Sequence, residues 1–211
     1  MTIPSRPEAA RLLRSLDPPA WYLSHVCAVA DVAAWLARAA AANGRRVDRS
    51  LAEAAALLHD VDKLAAAGLG EGARLPVVPA LASLRHGDGS AAWLEGHGMA
   101  ELAAAVRDHP VTRLADPAYA AWARTAPLEA RIVAYADKRA GQSLESMDQR
   151  FASWGRRYPS GLRSGWDDET ARLVAARAAE LEREVCAAAG VDAAAVRRLR
   201  WSRRALREAS A

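Results

Sequence analysis

Apolar residues recur at helical spacing along most of the chain. Val29, Val32 and Leu36 form one stripe of this kind, and residues three or four positions apart share one face of an α-helix. We find no convincing strand pattern. The spacing therefore predicts an all-α fold. Its helices extend over about 7–15, 20–42, 51–58, 80–95, 99–108, 119–124, from 127 to beyond 137, 168–189 and 193–208.

Gly, Pro and Asn residues indicate where the predicted helices end. Asn43-Gly44 ends the second helix, and Asp48 is the predicted N-cap of the third. The stretch 68–79 is rich in Gly and Pro, which predicts a loop. Residues 147–166 mix Arg, aromatic residues, Gly and Pro, and this mixture predicts mostly loop or broken helix.

The composition indicates one compact domain. The chain has 211 residues, of which 52% are apolar and 26% are charged, and this is far from a disordered composition. No internal repeat or long linker divides it, so we expect one domain over 1–211. No apolar run approaches the ~18 to 20 residues of a membrane span, and the first residues lack the apolar core of a signal peptide. A cytoplasmic location is therefore expected.

The positive charge is made almost entirely of arginine. The chain has 27 Arg but only two Lys, Lys63 and Lys138, and its formal net charge is +4. A net charge of this size is compatible with an anionic partner without requiring one. A lysine kept against such a bias is a candidate for a role that arginine fills badly, such as placing a compact charge in a crowded site. Chance retention is the alternative for each.

Four of the five histidines stand at distinctive positions. His59 is followed directly by Asp60, so one short stretch offers an imidazole and a carboxylate, two common ligands of divalent metals. The other three histidines of this set are His25, His86 and His109. A lone histidine on a helix is more often a packed bystander, and the His-Asp dipeptide is common by itself.

The remaining histidine, His97, lies between two glycines at the centre of a predicted helical hairpin. His86 lies 11 residues before it and His109 lies 12 residues after it, so each arm is about 16 to 18 Å long at 1.5 Å per residue. Folding the arms back at this point brings His86 and His109 together. His97 is then left at the tip, where we expect a structural turn residue or an exposed bystander.

The order of these motifs resembles the HD-domain metal-dependent phosphohydrolases over about residues 20–142. His25, the His59-Asp60 pair and Asp137 match the pattern His…His-Asp…Asp of that family. The segment LLHDVDK at 57–63 is similar to a turn found in that family, whose sequence is an apolar residue, His, Asp, any two residues and then Lys. It departs from the family at its sixth residue, an aspartate where many members carry glycine.

The two hairpin histidines make the resemblance more specific, because they point to one subgroup of the family. His86-Gly87 and His109-Pro110 are similar to the subgroup that binds two metals, which includes bacterial HD-type hydrolases of diadenosine tetraphosphate. The resemblance implies a helical bundle with a central metal site, formed by about 20–142, and a helical extension over about 147–211. It further implies two divalent ions, which would be Fe, Mn, Co, Ni or Zn, since the motifs offer imidazoles and carboxylates and contain no cysteine.

The resemblance also implies which residues hold the ions. The first ion would be held by four residues and the second by three, with Asp60 bridging the pair. The implied ligands are His25, His59, Asp60 and Asp137 for the first ion, and His86, His109 and Asp60 for the second.

The activity implied is hydrolysis of a phosphoester or phosphoanhydride bond in a nucleotide or another small phosphorylated compound. Two cations lower the pKa of a water molecule and bind phosphate oxygens. Asp60 and Lys63 are the expected catalytic residues, with the Lys63 ammonium on a phosphate oxygen. An ordinary ion pair between Lys63 and Asp62 is the alternative. Lys138 and Arg150 are further candidates for substrate binding.

Two other functions stay open at this point. A few members of the same superfamily are di-iron oxygenases that use an identical ligand set, and a non-catalytic metal-stabilised binding module is also compatible with the motifs. The last predicted helix is rich in arginine, but no groove-reading motif accompanies it, so nucleic acid is not the expected partner. No membrane partner is expected, and a homo-oligomer is possible.

Overall fold

The structure, a computed structural model, describes residues 3–66, 81, 83–141, 144–157 and 165–196. Within these ranges the regular elements are all helical and no strand occurs, which confirms the predicted all-α class. The helices are α1 (Arg6–Arg14), α2 (Ala20–Ala42), α3 (Arg49–Leu58), α4 (Val61–Ala66), α5 (Asp88–Gly96), α6 (Ala100–Val106), a short 3₁₀ helix (Val111–Ala115), α7 (Tyr119–Thr125), α8 (Leu128–Arg139), α9 (Met147–Arg157), α10 (Asp168–Ala189) and α11 (Ala193–Val196).

Helix α2 is the centre of the bundle. It packs against α3, α8 and α10, and the predicted stripe of Val29, Val32 and Leu36 is fully buried. By length and composition α2 is apolar enough to cross a membrane, so the expectation that no apolar run approaches such a length was wrong. Of its apolar 18-residue stretch, 67% is buried by the rest of the fold, as in the core helix of a bundle.

Capping residues set several helix ends where the sequence predicts them. The Asp48 carboxylate accepts a hydrogen bond from the backbone N–H of Leu51 at 2.9 Å and begins α3. Asn43 ends α2, and Gly44 follows it with φ at +74°. Both predicted helix ends are confirmed, and each depends only on neighbouring residues.

Helices α5 and α6 form the predicted hairpin and pack against each other. His97 ends α5 at the exposed tip, where its Nδ1–H donates to the Trp93 carbonyl at 2.8 Å and its ring stacks on the indole. The predicted start of the first arm near residue 80 lies outside the described residues. Leu81 is helical, but the described residues 83–87 are not, and α5 begins at Asp88. Gly87 precedes it with φ at +88°, a left-handed conformation that no helix continues through.

The expectation of loop or broken helix after residue 147 was wrong for residues 147–157, which form α9. Trp154 is 2% exposed and meets the Phe151 ring edge to face at 4.9 Å. The helix packs against α8 and α10, and two local features of the sequence favour it. Ser146 and Gln149 form a capping box, in which the Ser146 N–H donates to Gln149 Oε1 at 2.9 Å and the Gln149 N–H donates to Ser146 Oγ at 3.3 Å, and Met147, Phe151 and Trp154 stand at helical spacing. The predicted loop at 68–79 and the predicted helix beyond residue 196 lie outside the described residues.

A buried arginine connects α8 to α10. Arg139 is 2% exposed, and its guanidinium donates to a Glu182 carboxylate oxygen at 2.8 Å, to the Tyr135 hydroxyl at 2.6 Å and to the Glu145 carbonyl at 2.8 Å. The Tyr135 hydroxyl donates in turn to Glu182. Buried polar groups left without such partners are costly, so this network fixes the packing of α10 against the bundle.

We expect Arg139→Ala to lower the free energy of unfolding by about 2 kcal/mol or more, because it truncates a buried side chain and leaves the partly exposed Glu182 carboxylate and the Glu145 carbonyl without their donor. Urea unfolding measures this loss. Arg183→Ala is the control, because Arg183 is 69% exposed and its ion pair with Glu180 is long at 3.4 Å. This substitution should change stability by less than ~0.5 kcal/mol. Equal small effects of both substitutions would contradict the structural role of Arg139.

Candidate metal centre

Four histidines and two aspartates meet in the interior of the bundle. The break between α3 and α4 places two of them, because α3 ends at Leu58 and α4 begins at Val61. The hairpin supplies two more, one before α5 and one after α6. The six residues are His25 on α2, His59 and Asp60 at the break, His86 and His109 on the hairpin, and Asp137 on α8.

The first cluster surrounds two imidazole nitrogens that face each other. The Nε2 atoms of His25 and His59 lie 3.3 Å apart. Asp137 Oδ1 lies 3.4 Å from Nε2 of His25 and 3.6 Å from Nε2 of His59. Nitrogen and carboxylate donors that converge in this way match the ligand preferences of divalent transition metals.

The Asp60 carboxylate lies between this cluster and a second one. Its Oδ2 atom is 3.2 Å from Nε2 of His25 and 3.5 Å from Nε2 of His59. Its Oδ1 atom is 3.3 Å from Nε2 of His86 and 3.2 Å from Nε2 of His109. Because each oxygen faces a different pair of histidines, the geometry fits a carboxylate shared between two cations.

The outer nitrogens of three rings are held by backbone carbonyls. Nδ1–H of His59 donates to the Ala56 carbonyl at 2.8 Å, and Nδ1–H of His109 donates to the Val106 carbonyl at 2.6 Å. His25 Nδ1 lies 3.3 Å from the Gly141 carbonyl. A neutral ring that donates through Nδ1 leaves Nε2 with a free lone pair, and metal coordination needs this tautomer.

The charges of the site also suit a cation. Burial opposes the charged form of Asp60, but His59 and Lys63 outweigh it and hold the pKa of Asp60 well below its usual range. Burial likewise opposes ionisation of Asp137, but hydrogen bonds from His25 and His59 hold its pKa well below the ordinary value. Burial would lower the pKa of His25, but the two carboxylates raise it to about 9. A proton on His25 thus supplies positive charge in the metal-free cluster.

The two lysines have different surroundings. Lys63 Nζ donates to Oδ2 of Asp60 at 2.6 Å, and its side chain is 35% exposed. Its close partner is therefore Asp60 and not Asp62, the alternative considered from the sequence. Lys138 is 1% exposed, and its Nζ donates to the carbonyls of His109 at 2.8 Å and Ala134 at 3.1 Å. Its ammonium thus braces the backbone of a candidate ligand and does not line the cavity described next, so its position does not support substrate binding.

A cavity of about 510 Å³ opens over the centre. Asp60, Asp137 and Lys63 lie among the residues lining it, and α9 contributes a wall that the sequence did not predict. The lining residues are Trp21, His25, Asp60, Lys63, His86, Pro110, Val111, Thr112, Asp137, Ala140, Gly141, Glu145, Arg150, Ser153 and Trp154.

Arg150 is the cation of the α9 wall. Its guanidinium carbon lies 5.4 Å from the centroid of the Trp154 ring, and Nη1 lies 3.9 Å from a carboxylate oxygen of Glu145. A cation held against an aromatic face is preorganised. The predicted place of Arg150 at the substrate side of the site thus coincides with the cavity, whereas the segment that carries it was predicted as loop or broken helix and forms α9 instead.

Comparison with known proteins gives one match. The family model of the HD domain matches residues 22–141, which is more than half of the chain and includes all six candidate ligands. No curated protein and no solved structure matches the chain. The α9 wall lies beyond the matched region.

We expect the metal content to follow the six candidate ligands. Asp60→Ala should remove both ions because its carboxylate faces both clusters, whereas His109→Ala should weaken chiefly the second. Elemental analysis after reconstitution and dialysis measures the ratio of metal to protein. His97→Ala is the control and should keep the wild-type ratio, since His97 lies at the hairpin tip. Two ions retained by both ligand variants would contradict the assignment.

Proposed function

The chain belongs to the HD-domain family, and on that premise we propose that it is a metal-dependent phosphohydrolase that cleaves a phosphoester or phosphoanhydride bond in a small phosphorylated compound. The observation that carries the proposal is a buried cluster of imidazoles and carboxylates that opens onto a cavity beside an ammonium group. The part of the site that the structure describes gives no particular support to an oxygenase or to a non-catalytic module.

Six residues would hold the ions. The first would lie among His25, His59, Asp60 and Asp137, and the second among Asp60, His86 and His109. Fe, Mn, Co, Ni and Zn all accept such a set of donors. When bound, a metal pair supplies a water of lowered pKa and Lewis acidity toward phosphate oxygens. The protein's own share is to fix the donors, to exclude bulk water and to orient the substrate.

Lys63 is the residue that we assign to the transferred phosphoryl group. Its ammonium carries three donors, one of which bonds Asp60 while the side chain lines the cavity. Asp60 thus fixes the position of this ammonium before substrate arrives. A preorganised cation beside the reacting group stabilises the negative charge that develops in the transition state.

Arg150 is the residue that we assign to a second anionic group of the substrate. It lines the same cavity as Lys63 but stands on α9, on a different element of the fold. Its planar fork suits the paired oxygens of a phosphate. The nearby Glu145 carboxylate, at 3.9 Å, competes only weakly for the guanidinium. Lys63 and Arg150 together would hold a substrate that carries more than one anionic group.

Trp21 favours a nucleotide among the small phosphorylated compounds. This large aromatic side chain is 48% exposed and lines the cavity. An accessible indole offers a stacking surface worth about 1–3 kcal/mol per base, and it does so for any base. An alkyl phosphate has no planar group to use this surface.

A substrate screen tests the proposed function. Purified protein is loaded with Mn²⁺, Co²⁺, Ni²⁺ or Fe²⁺ and incubated with nucleotides, cyclic nucleotides, dinucleoside polyphosphates and an alkyl phosphate. Chromatography of the products and phosphate release follow the reaction. We expect metal-dependent hydrolysis that is faster for a nucleotide than for the alkyl phosphate. The proposal would be rejected if metal-loaded protein hydrolysed none of these compounds.

Lys63→Ala is expected to lower kcat/KM by roughly 100-fold or more, the scale for loss of one preorganised electrostatic group. Metal content should stay unchanged because Lys63 is not among the ligands. Lys63→Arg should restore activity only in part, since the larger planar head cannot occupy the position of a compact ammonium beside Asp60. Steady-state kinetics and elemental analysis on the same samples measure both effects. Full activity in Lys63→Ala would reject the phosphate contact.

A further inference from the structure

Asp62 holds one of the candidate ligands in place. Its carboxylate oxygens lie 3.0 and 3.1 Å from Nδ1 of His86, and Oδ2 accepts the backbone N–H of Gly87 at 2.7 Å. The residue is only 7% exposed. Both oxygens of Asp62 are thus engaged by the segment that carries His86, although Asp62 is only two residues from the shared Asp60.

His86 lacks the local backbone partner that holds His59 and His109. His59 and His109 are buried, and carbonyls one turn away on their own segments hold their Nδ1 atoms. His86 precedes α5 instead, its side chain is 34% exposed, and exposed residues stand just before it at 83–85. Its described Nδ1 partner is a carboxylate on a different element, α4.

The surrounding backbone is shaped to admit the Asp62 carboxylate. A Cβ atom on Gly89 would lie 2.8 Å from Cβ of Asp62 and 3.2 Å from its Oδ2. A Cβ atom on Gly87 would lie 2.4 Å from the Arg107 carbonyl, and φ at Gly87 is +88°. The Asp62 backbone N–H donates to Oγ of Ser90 at 3.2 Å. Gly89 thus leaves room for the Asp62 side chain, the Gly87 N–H bonds its carboxylate and the Ser90 hydroxyl accepts its backbone N–H, whereas the missing Gly87 side chain makes room for the Arg107 carbonyl.

We propose that Asp62 is a positioning residue that keeps His86 in the Nδ1–H tautomer, with Nε2 turned toward Oδ1 of Asp60, and thereby sets the affinity of the second ion. This inference rests on the proposed two-ion centre. A carboxylate behind an imidazole fixes the ring and makes its other nitrogen a stronger donor, and loss of such a partner typically weakens metal binding by 10- to 100-fold.

Calorimetric titration of metal-free protein with Mn²⁺ tests this role. Asp62→Asn keeps the shape of the side chain but replaces one acceptor oxygen with an amide donor. We expect it to weaken the second binding step by about 10- to 100-fold and to leave the first unchanged. Asp88→Asn is the matched control, because its carboxylate on α5 bonds Arg85 and Arg113 and not His86. A second step unchanged in Asp62→Asn would overturn the inference.

A double-mutant cycle separates positioning from direct coordination, since Asp62, Asp60 and His86 lie close enough to share an ion. If Asp62 acts through His86, Asp62→Asn should add no further loss of affinity in a His86→Ala background. A further loss of the same size there would make Asp62 a ligand in its own right and would overturn the positioning role.

Long-range ¹H–¹⁵N spectra of the metal-free wild type give a test that needs neither a stable variant nor activity. At a pH at which the ring is neutral, His86 should carry its proton on Nδ1, whereas a proton on Nε2 would overturn the inference. Binding of a single Mn²⁺ by the wild type would contradict the two-ion proposal and the role of Asp62 in ion affinity together. Absence of hydrolysis with both binding steps intact would contradict only the proposed function.

Discussion

The arrangement of the candidate metal centre depends on one buried carboxylate, that of Asp60. The Asp60 side chain is 1% exposed in the middle of an apolar bundle, and an ionised carboxylate in such a place costs several kcal/mol unless positive charge and hydrogen bonds surround it. The fold supplies them from four directions, through imidazoles on α2, at the α3–α4 break and on the hairpin, and through the Lys63 ammonium. A divalent cation would replace the proton on His25 and supply positive charge at the same place.

The matched family region and the segment beyond it contribute different things to the site. All six candidate ligands lie within residues 22–141, the part that matches the HD domain. The cavity wall with Arg150 and Trp154 belongs to α9, beyond that part. The candidate metal ligands and Lys63 thus lie in the matched core, whereas Arg150, the residue that we propose for a second anionic group of the substrate, lies on a helix that the family model does not cover.

Local patterns carried most of what the sequence could predict. The Asp48 cap, the apolar stripe of α2 and the turn at His97 depend on residues close together in the chain, and the structure confirms them. The nearly equal lengths of the two hairpin arms correctly predicted that His86 and His109 lie together. The helix at 147–157 was missed although its signals are local, a Ser146/Gln149 capping box and the helical spacing of Met147, Phe151 and Trp154. The Gly and Pro residues at 155–165 led to a loop prediction for the whole stretch.

The contacts of single polar side chains could not be predicted from the sequence. Lys138 and Lys63 share the same rarity, yet one ammonium is buried against carbonyls and the other faces the cavity. Their helical registers relative to the centre decide this difference. The pairing of Asp62 with His86 links positions 24 residues apart, and it depends on a glycine pocket that only the folded hairpin creates.

The central claim is that Asp60 is shared between two cations, and anomalous diffraction from crystals grown with Mn²⁺ tests it most directly. The account predicts two anomalous peaks, one on each side of the Asp60 carboxylate. One peak should lie among His25, His59 and Asp137, and the other between His86 and His109. Peaks that do not contact Asp60, or a metal-free centre in crystals soaked at saturating Mn²⁺, would contradict it.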